Sequence, residues 1–134
     1  MTEVQDVDPE GDAHENTDLL PNLIDDKRST SWTTELYRSA SFGNTGKTGV
    51  GLDFTLEEPA TIIQITSAVE GWRGELLQNV SSGPAARLAT LEGKSTQTIT
   101  LRQALTSCRI WLTELTKLTD TRWGVDLSEA QFYR

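Results

Sequence analysis

The 134-residue sequence predicts an all-β sandwich, and three observations carry that prediction. From Val50 the chain alternates strictly, with Val50, Leu52, Phe54 and Leu56 on one face and Gly51, Asp53 and Thr55 on the other. That is the period-two pattern of a half-buried strand. Short β-branched runs then recur about every ten residues, separated by turn formers, as far as the C-terminus. No segment carries a clean apolar stripe over three helical turns, the weak exception lying around residues 34–40. Together these predict about eight short antiparallel strands packed as a sandwich.

The elements follow in order. Residues 1–15 read as an acidic, flexible lead, and a single domain occupies 16–134, with order beginning near Leu19, Leu20 and Pro21. The stretch NLIDDKRSTSWTT (22–34) is too rich in turn formers for a helix and reads as a tight loop whose Trp32 enters the core. Beyond it, Tyr37, Arg38 and Phe42 stand among Ser, Gly and Asn, the composition of a long loop that displays aromatic side chains.

The alternating strand from Val50 ends at Glu57-Glu58-Pro59, and TIIQITSAV (61–69) forms the next, with Ile63 and Ile65 inward. Gly71-Trp72-Arg73-Gly74 reads as a turn exposing Trp72 and Arg73. Further strands fall around 86–91, 96–101 and 107–115. In the last, Cys108, Ile110 and Leu112 face one way and Arg109, Trp111 and Thr113 the other. In the closing WGVDLSEAQFYR (123–134) the apolar set changes parity between Leu127 and Ala130, which predicts a β-bulge near Ser128 or Glu129.

Charge and composition exclude several classes of function. The net charge is −8, but residues 1–18 hold seven of the 20 acidic residues and none of the 12 basic ones, so the body is near neutral. A neutral body with an acidic lead lacks the basic stripe needed for nucleic acid or anionic lipid. The lone Cys108 permits no internal disulfide, and the lone His14 removes His-based triads and most zinc sites. No apolar run reaches the length of a membrane span, and the N-terminus lacks the basic patch and apolar stretch of a signal peptide. The chain reads as soluble, either free or as part of an exported or membrane-anchored protein.

A planar aromatic stacks on the apolar face of a pyranose while Arg and Asn orient its hydroxyls. On that ground Tyr37, Arg38, Phe42, Trp72, Arg73 and Trp123 form the candidate ligand-binding set. Trp32 and Trp111 read as core plugs. For Trp72 and Trp123, each beside a glycine in a polar loop, the core and platform readings both stay open. Asp6, Asp8, Glu10, Gly11 and Asp12 imitate the start of a calcium loop, but Thr17 stands where the bidentate glutamate belongs, so a solvated acidic segment is the simpler reading. Asn79-Val80-Ser81 fits a glycosylation sequon that arises often by chance. With no Ser/His/Asp set, no Cys/His pair and no phosphate-cradling glycine loop, the sequence argues against an enzyme.

NLIDDKRSTSWTT is similar to the first conserved block of the discoidin, or coagulation factor V/VIII type C, group of galactose-binding-like jelly rolls, with Leu23, Asp25, Thr30 and Trp32 in register. VGLDFTLEEPATIIQI resembles the group's second block, and RIWLTEL and VDLSEAQFY resemble its last two strands, Glu129 matching an acidic position there. The resemblance spans 16–134 and implies a jelly-roll β-sandwich. In calcium-binding members the first loop supplies carbonyls, an Asp and a Thr, and the last strand a Glu. Carried over, these metal positions are Asp25, Thr30 and Glu129, and a structural calcium is the cofactor they imply. The group's Asp-Gly-Asp is Asp25-Asp26-Lys27 here, so a lysine stands beside any ion; without one, Asp25 reads as a turn carboxylate accepting backbone N–H groups.

A nearer resemblance rests on DPEGDAHEN (8–16), WTTELYRSASFG (32–43), GVGL (49–52) and IWLTEL (110–115). It is to an actinobacterial branch in which such a domain follows a transmembrane segment at the C-terminus of kinase-like or MviN-type peptidoglycan-synthesis membrane proteins. This implies an extracytoplasmic, non-catalytic domain of the cell envelope. The expected function is monomeric recognition of envelope carbohydrate or a peptidoglycan-related ligand, with no nucleic-acid partner and no membrane insertion of its own. The alternative is a protein-interaction or sensor domain with no small ligand.

Overall fold

The computed structural model describes residues 2–7, 15–25, 27, 29–42, 49–78 and 86–134. Among them run β1 (Glu3–Val7), a 3-10 helix (Thr17–Leu23), β2 (Trp32–Thr33), β3 (Val50–Ser67), β4 (Arg73–Gln78), β5 (Ala86–Glu92), β6 (Thr96–Glu114), β7 (Thr116–Lys117), β8 (Trp123–Gly124) and β9 (Asp126–Tyr133). Seven strands are hydrogen-bonded in the order β2-β9-β3-β6-β4-β5, with β1 added to β3, and β7 pairs separately with β8. The described pairings are antiparallel.

The sandwich arises because β3 and β6 serve both layers. Val50–Thr55 pairs with Ser107–Leu112, the register breaks between Thr55 and Ala60 and again before Ile62, and Ile62–Thr66 then pairs with Thr96–Thr100. The break coincides with Glu57-Glu58-Pro59, where the sequence suggests a strand end. Proline removes a ladder donor and fixes its own backbone angle, so here it bends a continuous strand. β1, β4 and β5 complete one layer and β9 and β2 the other.

The alternation read from sequence holds. Val50, Leu52, Phe54 and Leu56 are buried, as are Ile63, Ile65, Cys108, Ile110 and Leu112. Phe54 and Phe132, from different layers, meet with ring centroids 5.1 Å apart. Fully burying a side chain of this size contributes about 1.5–3 kcal/mol. Burial, with a smaller push from the Asp53 charge, raises the Cys108 thiol from its ordinary 9.0 to about 12. The expected bulge is present: Thr66 pairs with Glu129 but Ser67 with Leu127, leaving Ser128 as the extra residue.

Three expectations are corrected. Residues 34–40 form no helix; Tyr37 instead makes an isolated bridge to Trp123. The acidic lead is ordered at both of its described ends, since β1 pairs with β3 from Glu3↔Thr55 to Val7↔Gly51 and Glu15 is fully buried. Two of its carboxylates act as hydrogen-bond acceptors: Asp6 accepts the Glu15 N–H at 2.8 Å and the Thr17 hydroxyl, and Glu15 accepts from the loop that follows. Trp111 plugs no core but lies half-buried on the outer side of β6, as its alternation with Cys108, Ile110 and Leu112 requires. Asp8–Asp12, His14 and Asn79-Val80-Ser81 lie outside the described residues.

Candidate functional site

Three loops meet at one end of the sandwich, around residues 34–42, 67–72 and 115–125. Tyr37 and Trp123 exchange backbone hydrogen bonds of 2.8 Å in both directions, Leu115 N–H donates to Ala40 C=O at 2.8 Å, and Ala68 N–H to Asp126 C=O at 3.0 Å. Gly71, at φ +96°, turns the second loop and brings its backbone against Thr116. A side chain at that angle is strained, so glycine is required.

Most of the aromatic residues expected to bind ligand hold this end together instead. Tyr37 is 7% exposed and its hydroxyl donates to both oxygens of Glu15, at 2.8 and 3.0 Å. The same carboxylate accepts the Glu35 N–H at 2.8 Å, and the Glu15 carbonyl accepts the Trp32 indole N–H at 2.8 Å. Phe42, 1% exposed, packs edge-on against Tyr37 at 5.1 Å. Trp72 is fully buried, with its N–H on Ser67 Oγ at 3.1 Å. A buried ring has no free face to stack on a sugar, so Tyr37, Phe42 and Trp72 are corrected to core residues.

The other three remain reachable. Arg38 is exposed, and so is Arg73, which faces Glu114 at 3.5 Å. Trp123 is half-buried, with Lys117 Nζ 5.5 Å from its ring centre, a cation–π contact that steadies the ring. This end therefore presents one accessible indole under the Lys117 ammonium, with Arg38 and Arg73 exposed elsewhere on the surface.

Asp25, Thr30 and Glu129 do come together. The Lys27 N–H donates to Asp25 Oδ1 at 2.9 Å and to Glu129 Oε1 at 3.1 Å, and the Thr30 hydroxyl donates to Asp25 Oδ2 at 2.5 Å. The first of these closes a turn of the kind Asp forms with the backbone two residues on. Asp25 is held below its ordinary 3.8 chiefly by the Thr30 hydroxyl and against a desolvation cost, with the Lys27 N–H, Glu129 and the Lys27 charge adding to the effect. Calcium takes six to eight oxygens, whereas among the described residues no three acidic or other metal-ligating side chains gather. The Lys27 amide already bridges the two carboxylates. Asp25, Thr30 and Glu129 thus form a hydrogen-bonded loop lock around the Lys27 amide.

Two features escaped the sequence reading. Glu15 is the acceptor that unites Trp32, Glu35 and Tyr37, and nothing in an acidic segment marks one carboxylate as buried. Trp111 is an accessible aromatic residue whose alternation with inward neighbours was the available signal.

With this geometry in view, the fold can be placed. No family model matches the chain, and no curated protein does. Solved structures do match, and the carbohydrate-binding modules among them share this β-sandwich fold. CpGH89CBM32-6 from Clostridium perfringens superposes with a TM-score of 0.68 at 14% identity, over 99% of this chain and 93% of that one. Chitosan-binding module 2 of a Paenibacillus chitosanase/glucanase, solved with chitotriose, gives 0.60 at 15% identity over 100% and 95%. A GH29 fucosidase of Ruminococcus gnavus gives 0.67 at 18% identity, and this chain spans 25% of its length.

Proposed function

We propose that this chain is a non-catalytic carbohydrate-binding module that works outside the cytoplasm on envelope glycan, a peptidoglycan-related saccharide being the ligand class. The observation that carries the reading is the match along its whole length to self-contained modules. CpGH89CBM32-5, solved with GalNAc-β-1,3-galactose, pairs with 100% of this chain and 94% of its own. Trp123 supplies an accessible indole and Lys117 a donor over it, the chemistry a pyranose needs. Titration with muropeptides and with chitotriose, followed by amide and indole NMR shifts, tests this. Shifts clustered at 36–38 and 117–123 are expected; no shift anywhere at millimolar ligand overturns the reading.

A second reading has its own support. The inward packing of Tyr37, Phe42 and Trp72 favours a protein-interaction or sensor domain of a membrane protein. That reading gains if the glycans leave every resonance in place.

A further inference from the structure

We propose a second saccharide-binding site, on the outer face of the sheet rather than at the loop end, with Trp111 as its platform. It rests on the carbohydrate-binding reading above and locates a site that reading does not need. The ring is laid flat by two glycines. A Cβ at Gly49 would fall 2.5 Å from Trp111 Cε2 and 2.6 Å from Nε1, and one at Gly51 would fall 2.9 Å from Cε3. The indole therefore lies along β3 with one face against bare backbone. Both glycines are buried beneath it, while the ring itself stays half-exposed.

The polar groups around the ring point the same way. Trp32 and Trp72 each spend their indole N–H inside the protein, at 2.8 and 3.1 Å. Among the described residues nothing accepts the Trp111 N–H, and it is not a buried orphan. One row along β3 and β6, Asp53 faces Arg109 in register, and Nε and an Nη donate to its two oxygens at 2.6 and 3.0 Å. This pair is only about a third exposed, 30% for Arg109 and 27% for Asp53. Each member thus fixes the other, and Arg109 keeps further guanidinium donors. Across β4, Glu75 is paired with Trp111 in register and lies 3.6 Å from Arg87.

A flat indole bounded by fixed donors and acceptors suits a pyranose whose apolar face stacks on the ring while its hydroxyls reach the rim. Shielding of glycine backbone by an aromatic ring is a known sheet device. It accounts for where the ring lies, but not for the unused N–H or the ordered ion pair beside it.

The test is an NMR titration of the intact protein with chitotriose, read at the four indole N–H signals after assignment with single Trp→Phe variants. The proposal expects the Trp111 signal to move saturably while those of Trp32 and Trp72 stay still. It also expects Trp111→Ala to weaken that phase about tenfold with the amide spectrum otherwise preserved. Should Trp111→Ala fail to fold, Asp53→Asn serves instead and is expected to weaken the same phase. Movement of Trp123 with a fixed Trp111 overturns this site and leaves the proposed function standing; a spectrum fixed throughout overturns both.

Discussion

Replacing Tyr37 by phenylalanine removes one oxygen and leaves the ring, so it isolates the hydroxyl's contribution. That hydroxyl donates to both oxygens of the buried Glu15, and the ring contact with Phe42 at 5.1 Å is kept. Leaving a buried acceptor short of its donor costs about 1–3 kcal/mol. The site is sealed, so no water replaces the lost donor, and the cost belongs in that range rather than near zero. For a domain of this size such a loss lowers the melting temperature by about 5–10 °C. Circular-dichroism melts together with urea titrations measure it, and the m-value is expected to stay constant because the unfolded state is unaffected. Tyr133→Phe is the control, since that residue is 46% exposed, and its melt is expected to match wild type. A drop of less than about 1 °C for Tyr37→Phe would refute the argument that the Glu15 cluster secures the loop end.

Four further outcomes are expected. Gly93→Ala places a Cβ 2.4 Å from Trp72 N and 2.6 Å from Trp72 O, and backbone cannot yield cheaply, so the urea midpoint should fall by an amount equivalent to about 1–3 kcal/mol. Asp25 has a folded pKa below its unfolded value of 3.8, so its contribution is complete above that pH and lost as pH falls through the folded value. The difference in melting temperature between wild type and Asp25→Asn should therefore shrink as pH drops towards 2, and a constant gap would contradict the hydrogen bonds assigned to it. Cys108, its thiol raised to about 12, should ignore Ellman's reagent in the native protein at pH 8 and react once urea unfolds the chain. Millimolar calcium and excess EDTA should give melting temperatures within about 1 °C of each other; a rise of several degrees with calcium would show an ion displacing the Lys27 amide.

The framework was legible where a local pattern forces a global outcome. Alternation in 50–56 and 107–112 assigns every side chain a face, and the parity change after Leu127 announces the unpaired Ser128. Pro59 was visible as an interruption, but whether a strand stops or bends depends on what lies beyond it, and that is tertiary information. The candidate site was harder to see because a loop residue beside glycine has the same local signature inside or outside. Trp72 and Trp123 share that signature, yet one gives its N–H to Ser67 and the other lies under Lys117. Glu15 was invisible for the same reason: its burial is decided by Trp32, Glu35 and Tyr37, all about 17–22 residues away.

The two long strands also limit how this chain can be rearranged. Because β3 and β6 each pass through both layers, a new terminus inside 50–67 or 96–114 would sever the two sheets at once and leave neither fragment with a complete core. New ends in the loop around 119–121, where Thr119, Asp120 and Thr121 are exposed, would leave both long strands whole and open only the loop between Lys117 and Trp123. Circular permutants opened there are the ones to build when this domain is to be fused through its middle.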